Sequence, residues 1–275
     1  MNAARAHNST PDYIHGYSEG ESNRLTDQAN TLAEYLHHDT VYAQGEHVLE
    51  IGCGVGAQTV ILARNHPQTC FTSIDISFPS LILARERIHS CGCTNVSFQQ
   101  ADIFNLPFST ETFDHVFLCF VLEHLRDPVL ALQHIQRILK KSGSMTVIEG
   151  DHGSAIFHPF SSKAQQTIQC LVNRQAQSGG NALIGRALYP LLQQAQYKNI
   201  NVSPRQIYTD ASCPDLVDSF TKKTFIAMVE TVKPQVLANQ EMDPYEWQQG
   251  IEDLYRTTTL SGSFAYTFFK ATALK

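Results

Sequence analysis

From His47 to about Gly150, short apolar runs alternate with amphipathic stretches in a strand–helix rhythm. The pattern predicts strands at His47–Ile51, Cys70–Asp75, Val96–Ala101, Asp114–Phe120 and Ser144–Glu149. Helices are predicted at Gln58–Asn65, at Pro79–Ser90 with Ser77 as cap and Gly92 as stop, and at Asp127–Lys141. The last has Asp127 as cap, Pro128 in its first turn, Lys140 and Lys141 in its last turn, and Gly143 beyond. Strands separated by such helices imply right-handed crossovers and a parallel sheet.

Outside this stretch the rhythm changes. A helix is predicted over Ser22–His38, with Ser22 as cap and an apolar stripe of Leu25, Ala29, Leu32 and Leu36. A polar stripe of Arg24, Gln28, Thr31 and Tyr35 runs beside it, suited to a lid together with Tyr17. After Gly150 the pattern predicts helices at Ser162–Gln177 and Arg186–Gln196 and a strand near Ile200–Tyr208. Two more helices follow between Asp215 and Thr259, and an aromatic strand, Ser263–Ala273, closes the chain. The sheet is thus built mainly from the first half, and the second half carries helices in excess of its needs.

Composition narrows the class. The 275 residues are 43% hydrophobic and 17% charged, which excludes a wholly disordered chain. Twenty basic residues stand against 26 acidic ones, a net charge of -6, and no Lys/Arg-rich run suggests a nucleic-acid footprint. The longest apolar run, Val116–Leu122, is far short of the ~20 residues that span a bilayer, so no membrane insertion is expected. Residues Met1–Gly20 lack the apolar stretch of a signal peptide, and seven cysteines show no paired CxxC frame. A reduced, cytoplasmic location is expected. A homo-oligomer is compatible with the sequence but not specified by it.

The sharpest local feature is Glu50-Ile51-Gly52-Cys53-Gly54-Val55-Gly56-Ala57-Gln58, where a strand runs through three glycines into a helix. Such a turn lets a ligand approach the backbone and offers helix N–H groups to a negative group. Gly52, Gly54 and Ala57 also satisfy the dinucleotide pattern G-x-G-x-x-G/A, so the loop alone admits NAD. Asp75 ends the next strand, where a carboxylate can accept both hydroxyls of a ribose of either cofactor. Glu50 and Asp102 tip the balance. A carboxylate at Glu50 suits a cationic amino-acid ligand better than a diphosphate, and Asp102 can accept from an adenine amino group while Ile103 packs on the ring.

These segments, with Ala101-Asp102 and Phe120-Val121-Leu122-Glu123-His124-Leu125, resemble the successive motifs of class I S-adenosylmethionine-dependent methyltransferases, on the ubiquinone/menaquinone-biosynthesis-like branch. The resemblance covers roughly residues 45 to 150. The opening, Tyr17-Ser18-Glu19 to Thr40, is similar to a subgroup of microbial small-molecule methyltransferases. The resemblance implies an α/β fold with a doubly wound, Rossmann-like sheet of seven strands, mostly parallel, the last antiparallel, and a helical cap. It implies that S-adenosyl-L-methionine is the cofactor and S-adenosyl-L-homocysteine the product. The cofactor contacts expected are Glu50, Gly52, Gly54, Gln58, Asp75, Ile76, Asp102, Ile103 and Phe120, with Gln28 from the first helix.

For the acceptor, Glu149-Gly150-Asp151-His152 follows the fifth strand, where ligands sit in this architecture. Asp151 is expected to orient His152, and His152 to act as base. Glu149, Asp151, Phe157 and His158 are expected at the substrate, with Tyr17 as a second catalytic candidate. Phe220, Phe225, Met228 and Trp247 are residues suited to an apolar pocket wall. Neither the His152/His158 spacing nor Cys91-x-Cys93 is a metal signature, so no metal is expected. The expected organisation is a lid at 1–44, a cofactor core at 45–150, a cap and substrate region at 151–260 with a late strand near 200–208, and a final sheet strand at 261–275. The expected function is methyl transfer to a small organic acceptor on carbon, nitrogen or oxygen, such as a secondary metabolite. An NAD-dependent oxidoreductase and a non-catalytic cofactor-binding or regulatory protein are the competing readings.

Overall fold

The computed structural model describes residues 19–275, with side chains from Arg24 onward, so Tyr17 lies outside the described residues. The described residues open with α1 (Glu19–His37), which already contains the expected cap Ser22. The chain then alternates β1 (His47–Ile51), α2 (Ala57–Asn65), β2 (Cys70–Asp75), α3 (Phe78–Ser90), β3 (Val96–Gln100), β4 (Phe113–Cys119), α4 (Pro128–Ile138) and β5 (Leu139–Gly150). Ser77 caps α3 by accepting from the Ser80 N–H, and Asp127 caps α4 by accepting from the Leu130 N–H. The second half supplies β6 (Ile156–His158), α5 (Ser162–Gln177), α6 (Leu188–Gln194) and β7 (Lys198–Asp210). After the short α7 (Pro214–Leu216) comes a π-helix, Val217–Ile226, then α8 (Ala227–Glu230), α9 (Lys233–Ala238), α10 (Pro244–Arg256) and β8 (Ser263–Leu274).

β3, β2, β1, β4 and β5 pair in that order and run parallel. β8 then pairs antiparallel with β5, from Ser144↔Leu274 to Gly150↔Phe268, and with β7 along nearly its whole length. The sheet has eight strands where seven were expected. The additional one is β6, three residues that continue the β5 side of β8 at Ile156↔Ala265 to His158↔Ser263. The helix expected to reach Lys141 stops at Ile138. Lys140 donates to both oxygens of Asp114 on β4 at 2.8 Å, and Leu139 pairs with Phe113, so this stretch joins the sheet instead of ending a helix.

The strands alternate between two cores, one on each face, as a doubly wound sheet requires. Val48, Phe71, Phe117, Ile148, Phe264, Tyr266 and Phe268 face one side, packed with Leu32 and Leu36 of α1, α5, the π-helix and Trp247 of α10. Leu49, Ile74, Val116, Leu118, Met145 and Val147 face the other, covered by Leu132 and Ile135 of α4 and by Leu188 and Leu192 of α6. Among the described residues no helix is long and apolar enough to cross a membrane.

Candidate active site

A cavity of about 1090 Å³ opens at the C-terminal ends of β1, β2, β4 and β5, where an open α/β sheet holds its ligands. Its floor is the glycine turn. Gly52 has φ 72°, and a Cβ there would lie 2.5 Å from Val121 Cγ2. Gly56 has φ 78°, and its Cβ would meet Ala84 backbone and side chain at 3.0 Å. Both positions therefore demand glycine, one to turn beneath the β4 loop and one to seat α2 against α3. The turn is locked at its centre, where the Gly54 N–H donates to Asp75 Oδ2 at 2.7 Å. Asp75 Oδ1 accepts from the Ser77 N–H at 2.8 Å. Burial pushes the Asp75 carboxyl up, and these backbone donors pull it down.

The expected residues sort into those that line the cavity and those that do not. Gly52, Gly54, Gln58, Asp75, Ile76, Asp102, Ile103 and Phe120 line it, as do Gln28 of α1 and His152. Asp102 is exposed at the rim, with Oδ1 accepting from the Phe104 N–H at 2.9 Å. Gln58 Oε1 lies 2.7 Å from His37 Nε2, which ties α1 to the helix after the glycine turn. From the second half, Phe220, Thr224, Phe225 and Met228 reach the cavity, joined by Tyr266 and Phe268 of β8.

Five expected site residues stand elsewhere. Glu50 is buried under the turn, its Oε2 accepting from Thr59 Oγ1 at 2.7 Å and Ser73 Oγ at 2.6 Å; it does not line the cavity. Burial pushes its carboxyl up to about 7. Glu149 is fully buried, and its Oε1 accepts from the Val121 and Leu122 N–H groups, so it shapes the loop after β4 from behind. Burial, and then Glu123, push the Glu149 carboxyl well above the usual range. Asp151 is engaged by Arg186, which donates to both of its oxygens at 2.7 Å, and it does not line the cavity. Phe157 and His158 lie on β6 at the sheet margin; Phe157 packs in the first core and His158 is exposed. Trp247, suited by type to a pocket wall, is buried in that core as well.

Two residues missed as site members change the chemistry. Glu123 lines the cavity, as do Asp75, Asp102 and Asp127, whereas Glu50 does not. Glu123 Oε2 accepts from Gln175 Nε2 at 3.1 Å. Tyr266 takes the place expected of Asp151, its hydroxyl 2.7 Å from His152 Nδ1. The motif Phe120 to Leu125 already carried Glu123. Tyr266 sat in an aromatic strand whose pattern speaks only of core.

Residues 43–202 match the family described as "Methyltransferase domain", and the chain belongs to it. Methyltransferase GfsG of Streptomyces halstedii is 29% identical over 126 residues, 46% of this chain and 45% of that protein. The O-methyltransferase cnsE of Penicillium expansum is 32% identical over 148 residues, 51% of this chain and 52% of that protein. The chain thus spans about half the length of these curated relatives. A solved phosphoethanolamine N-methyltransferase 2 of Haemonchus contortus, in complex with S-adenosyl-L-methionine, aligns with TM-score 0.55 at 16% identity, over 90% of this chain and 52% of that one. At that identity the likeness is one of fold.

Proposed function

We propose that the protein transfers a methyl group from S-adenosyl-L-methionine to a small, largely apolar organic acceptor. The observation that carries this reading is one continuous cavity of about 1090 Å³ with two unlike ends. It exceeds the ~300–1,000 Å³ typical of a single ligand site, so two molecules fit side by side. One end has the glycine turn, Asp75, Asp102 and the apolar Ile76 and Ile103; the other has Phe120, Phe220, Phe225, Met228 and Phe268. The first end suits the cofactor. Gly52 and Gly54 let its methionyl part approach the backbone, and the free N–H groups of α2 suit its carboxylate. Asp75 would accept from the ribose hydroxyls and Asp102 from the adenine amino group, with Ile76 and Ile103 flanking the ring. Gln28 and Gln58 supply polar contacts from α1 and α2.

Once bound, the cofactor supplies an electrophilic methyl group on a sulfonium, and its sulfur keeps the electron pair of the broken C–S bond. The protein's task is alignment, which can account for ~7–11 kcal/mol of a barrier. Phe120 and the second-half aromatics would hold the acceptor against the cofactor and exclude water, with His152 as a polar group at their edge. Asp75, Asp102, Glu123 and Asp127 line the crevice against the guanidinium groups of Arg24 and Arg126, a negative balance that weighs against a diphosphate. In this reading residues 19–44, the described part of the expected lid at 1–44, lie over the crevice, 45–150 hold the cofactor, 151–260 select the acceptor and 261–275 close the sheet. Seven unpaired cysteines support a reducing, cytoplasmic setting. Mass spectrometry of ligands that co-purify with the full chain tests the reading. S-adenosyl-L-methionine or S-adenosyl-L-homocysteine is expected; a nicotinamide dinucleotide would overturn it.

A further inference from the structure

His152 stands in the cavity wall with one polar atom unaccounted for. Nδ1 lies 2.7 Å from the Tyr266 hydroxyl, whereas Nε2 is buried and has no partner among the described residues. Burial lowers the affinity of the ring for a second proton, so the imidazole is neutral and carries one proton on one nitrogen. A base working through Nε2 needs that proton on Nδ1.

Tyr266 decides which nitrogen carries it. The phenol ring is gripped by Phe220, Phe225 and Phe268, at centroid distances of 5.9, 5.5 and 4.7 Å. Its hydroxyl is buried and stays protonated, with one O–H to give. A buried phenol O–H needs an acceptor for its proton. Nδ1 is the acceptor within reach. A proton on Nδ1 would instead leave the phenol O–H buried without a partner, which folding penalises.

We propose that Tyr266 holds His152 with its proton on Nε2, making His152 a hydrogen-bond donor to an oxygen of the methyl acceptor and not a general base. The acceptor class that follows is a largely apolar molecule with a carbonyl or ionised hydroxyl oxygen beside the atom to be methylated. The Nε2–H group fixes that oxygen, and the neighbouring nucleophilic atom is thereby aligned with the methyl group. Tyr266 is a positioning residue that acts through His152. The acceptor assignment rests on the methyl-transfer reading; the ring assignment does not.

The test is nitrogen-15 NMR of the full chain with labelled histidine, the His152 ring being identified by its loss in His152→Gln. The expected result is a proton bonded to Nε2 and a bare Nδ1 in the wild-type protein. Tyr266→Phe, which keeps the ring packing, is expected to abolish that preference. A proton on Nδ1 overturns the donor assignment, as does an unchanged Nε2–H preference in Tyr266→Phe. Should that variant fail to fold, the wild-type spectrum alone decides which nitrogen is protonated. Calorimetric titration of the same sample with S-adenosyl-L-methionine is read separately. Absence of binding there removes the acceptor class and leaves the ring assignment to the spectrum.

Discussion

Asp75 does two jobs at once, and this sets what its substitution will do. Its oxygens hold the Gly54 and Ser77 N–H groups at 2.7 and 2.8 Å, and the same carboxylate faces the cavity. Asp75→Asn keeps the outline of the side chain but removes the charge that strengthens hydrogen bonds from a ribose, and its amide nitrogen cannot accept one of the two backbone bonds. Such bonds are worth ~1.5–3 kcal/mol each, so affinity for S-adenosyl-L-methionine should fall at least about tenfold, as read by calorimetry. Glu50 predicts a pH effect on stability. Burial raises its carboxyl from 4.5 to about 7, so the folded protein keeps a proton that the unfolded chain has released. The contribution of Glu50 to stability therefore falls as pH rises from about 4.5 through 7, by a total on the order of 3 kcal/mol. Glu50→Gln carries no such charge and still accepts from Thr59 and Ser73. Its stability relative to wild type should climb between about pH 5 and pH 8 in urea unfolding. A constant difference would mean that Glu50 does not titrate there. The Glu50 and Asp75 positions were both legible in the sequence, but only Asp75 was legible in its orientation. A strand's alternation says that Glu50 and Val48 share a face; it does not say that two hydroxyls wait beneath the turn.

The elements beyond Gly150 were harder to read, for a physical reason. Periodicity reports an α-helix or a strand, and Val217–Ile226 is neither. In its i→i+5 winding the Ala227 N–H reaches the Lys222 carbonyl and Thr224 Oγ1 reaches the Ser219 carbonyl. Residues five apart then stand nearly above one another, which brings Phe220 and Phe225 side by side against Tyr266. Phe225→Leu removes one of the two rings from the cavity wall while keeping an apolar side chain there. The expected outcome is retained cofactor affinity with methyl transfer reduced about tenfold or more, since alignment is what the rings supply. Equal turnover would remove Phe225 from the site. β8 raised a different difficulty: Lys270 stands in the same buried row as Phe264, Tyr266 and Phe268. Its ammonium donates to the Leu36 carbonyl, Asp39 Oδ1 and Thr40 Oγ1 at 3.0, 2.6 and 2.7 Å, pinning the C-terminal end of α1 to the sheet. Lys270→Met leaves those acceptors unpaired, at a cost of ~1–3 kcal/mol each where buried. Faster hydrogen exchange across α1, and weaker cofactor binding through Gln28, are the expected readouts. Unaltered exchange would show that the pin is dispensable.

At the scale of the whole molecule, three stretches far apart in sequence meet at one cavity. α1 brings Arg24 and Gln28, the parallel strands bring the glycine turn with Asp75 and Asp102, and the second half brings Phe220, Phe225 and Tyr266. The parallel core was legible because each strand and helix announces itself locally by period, cap and glycine. The meeting of the other two stretches was not, because it depends on β8 lying between β5 and β7, a pairing of residues more than fifty apart on the β7 side and more than a hundred on the β5 side. That arrangement displaced Phe157 and His158 to the margin and brought Tyr266 to His152 in place of Asp151. The central claim is that this cavity binds the methyl donor with room for an acceptor beside it. Titration calorimetry of the full chain with S-adenosyl-L-methionine, S-adenosyl-L-homocysteine and NAD tests it most directly. The account predicts one site for each of the first two, both weakened by Asp75→Asn, and no heat from NAD. Saturable binding of NAD, or no binding of S-adenosyl-L-methionine by the folded protein, would contradict it.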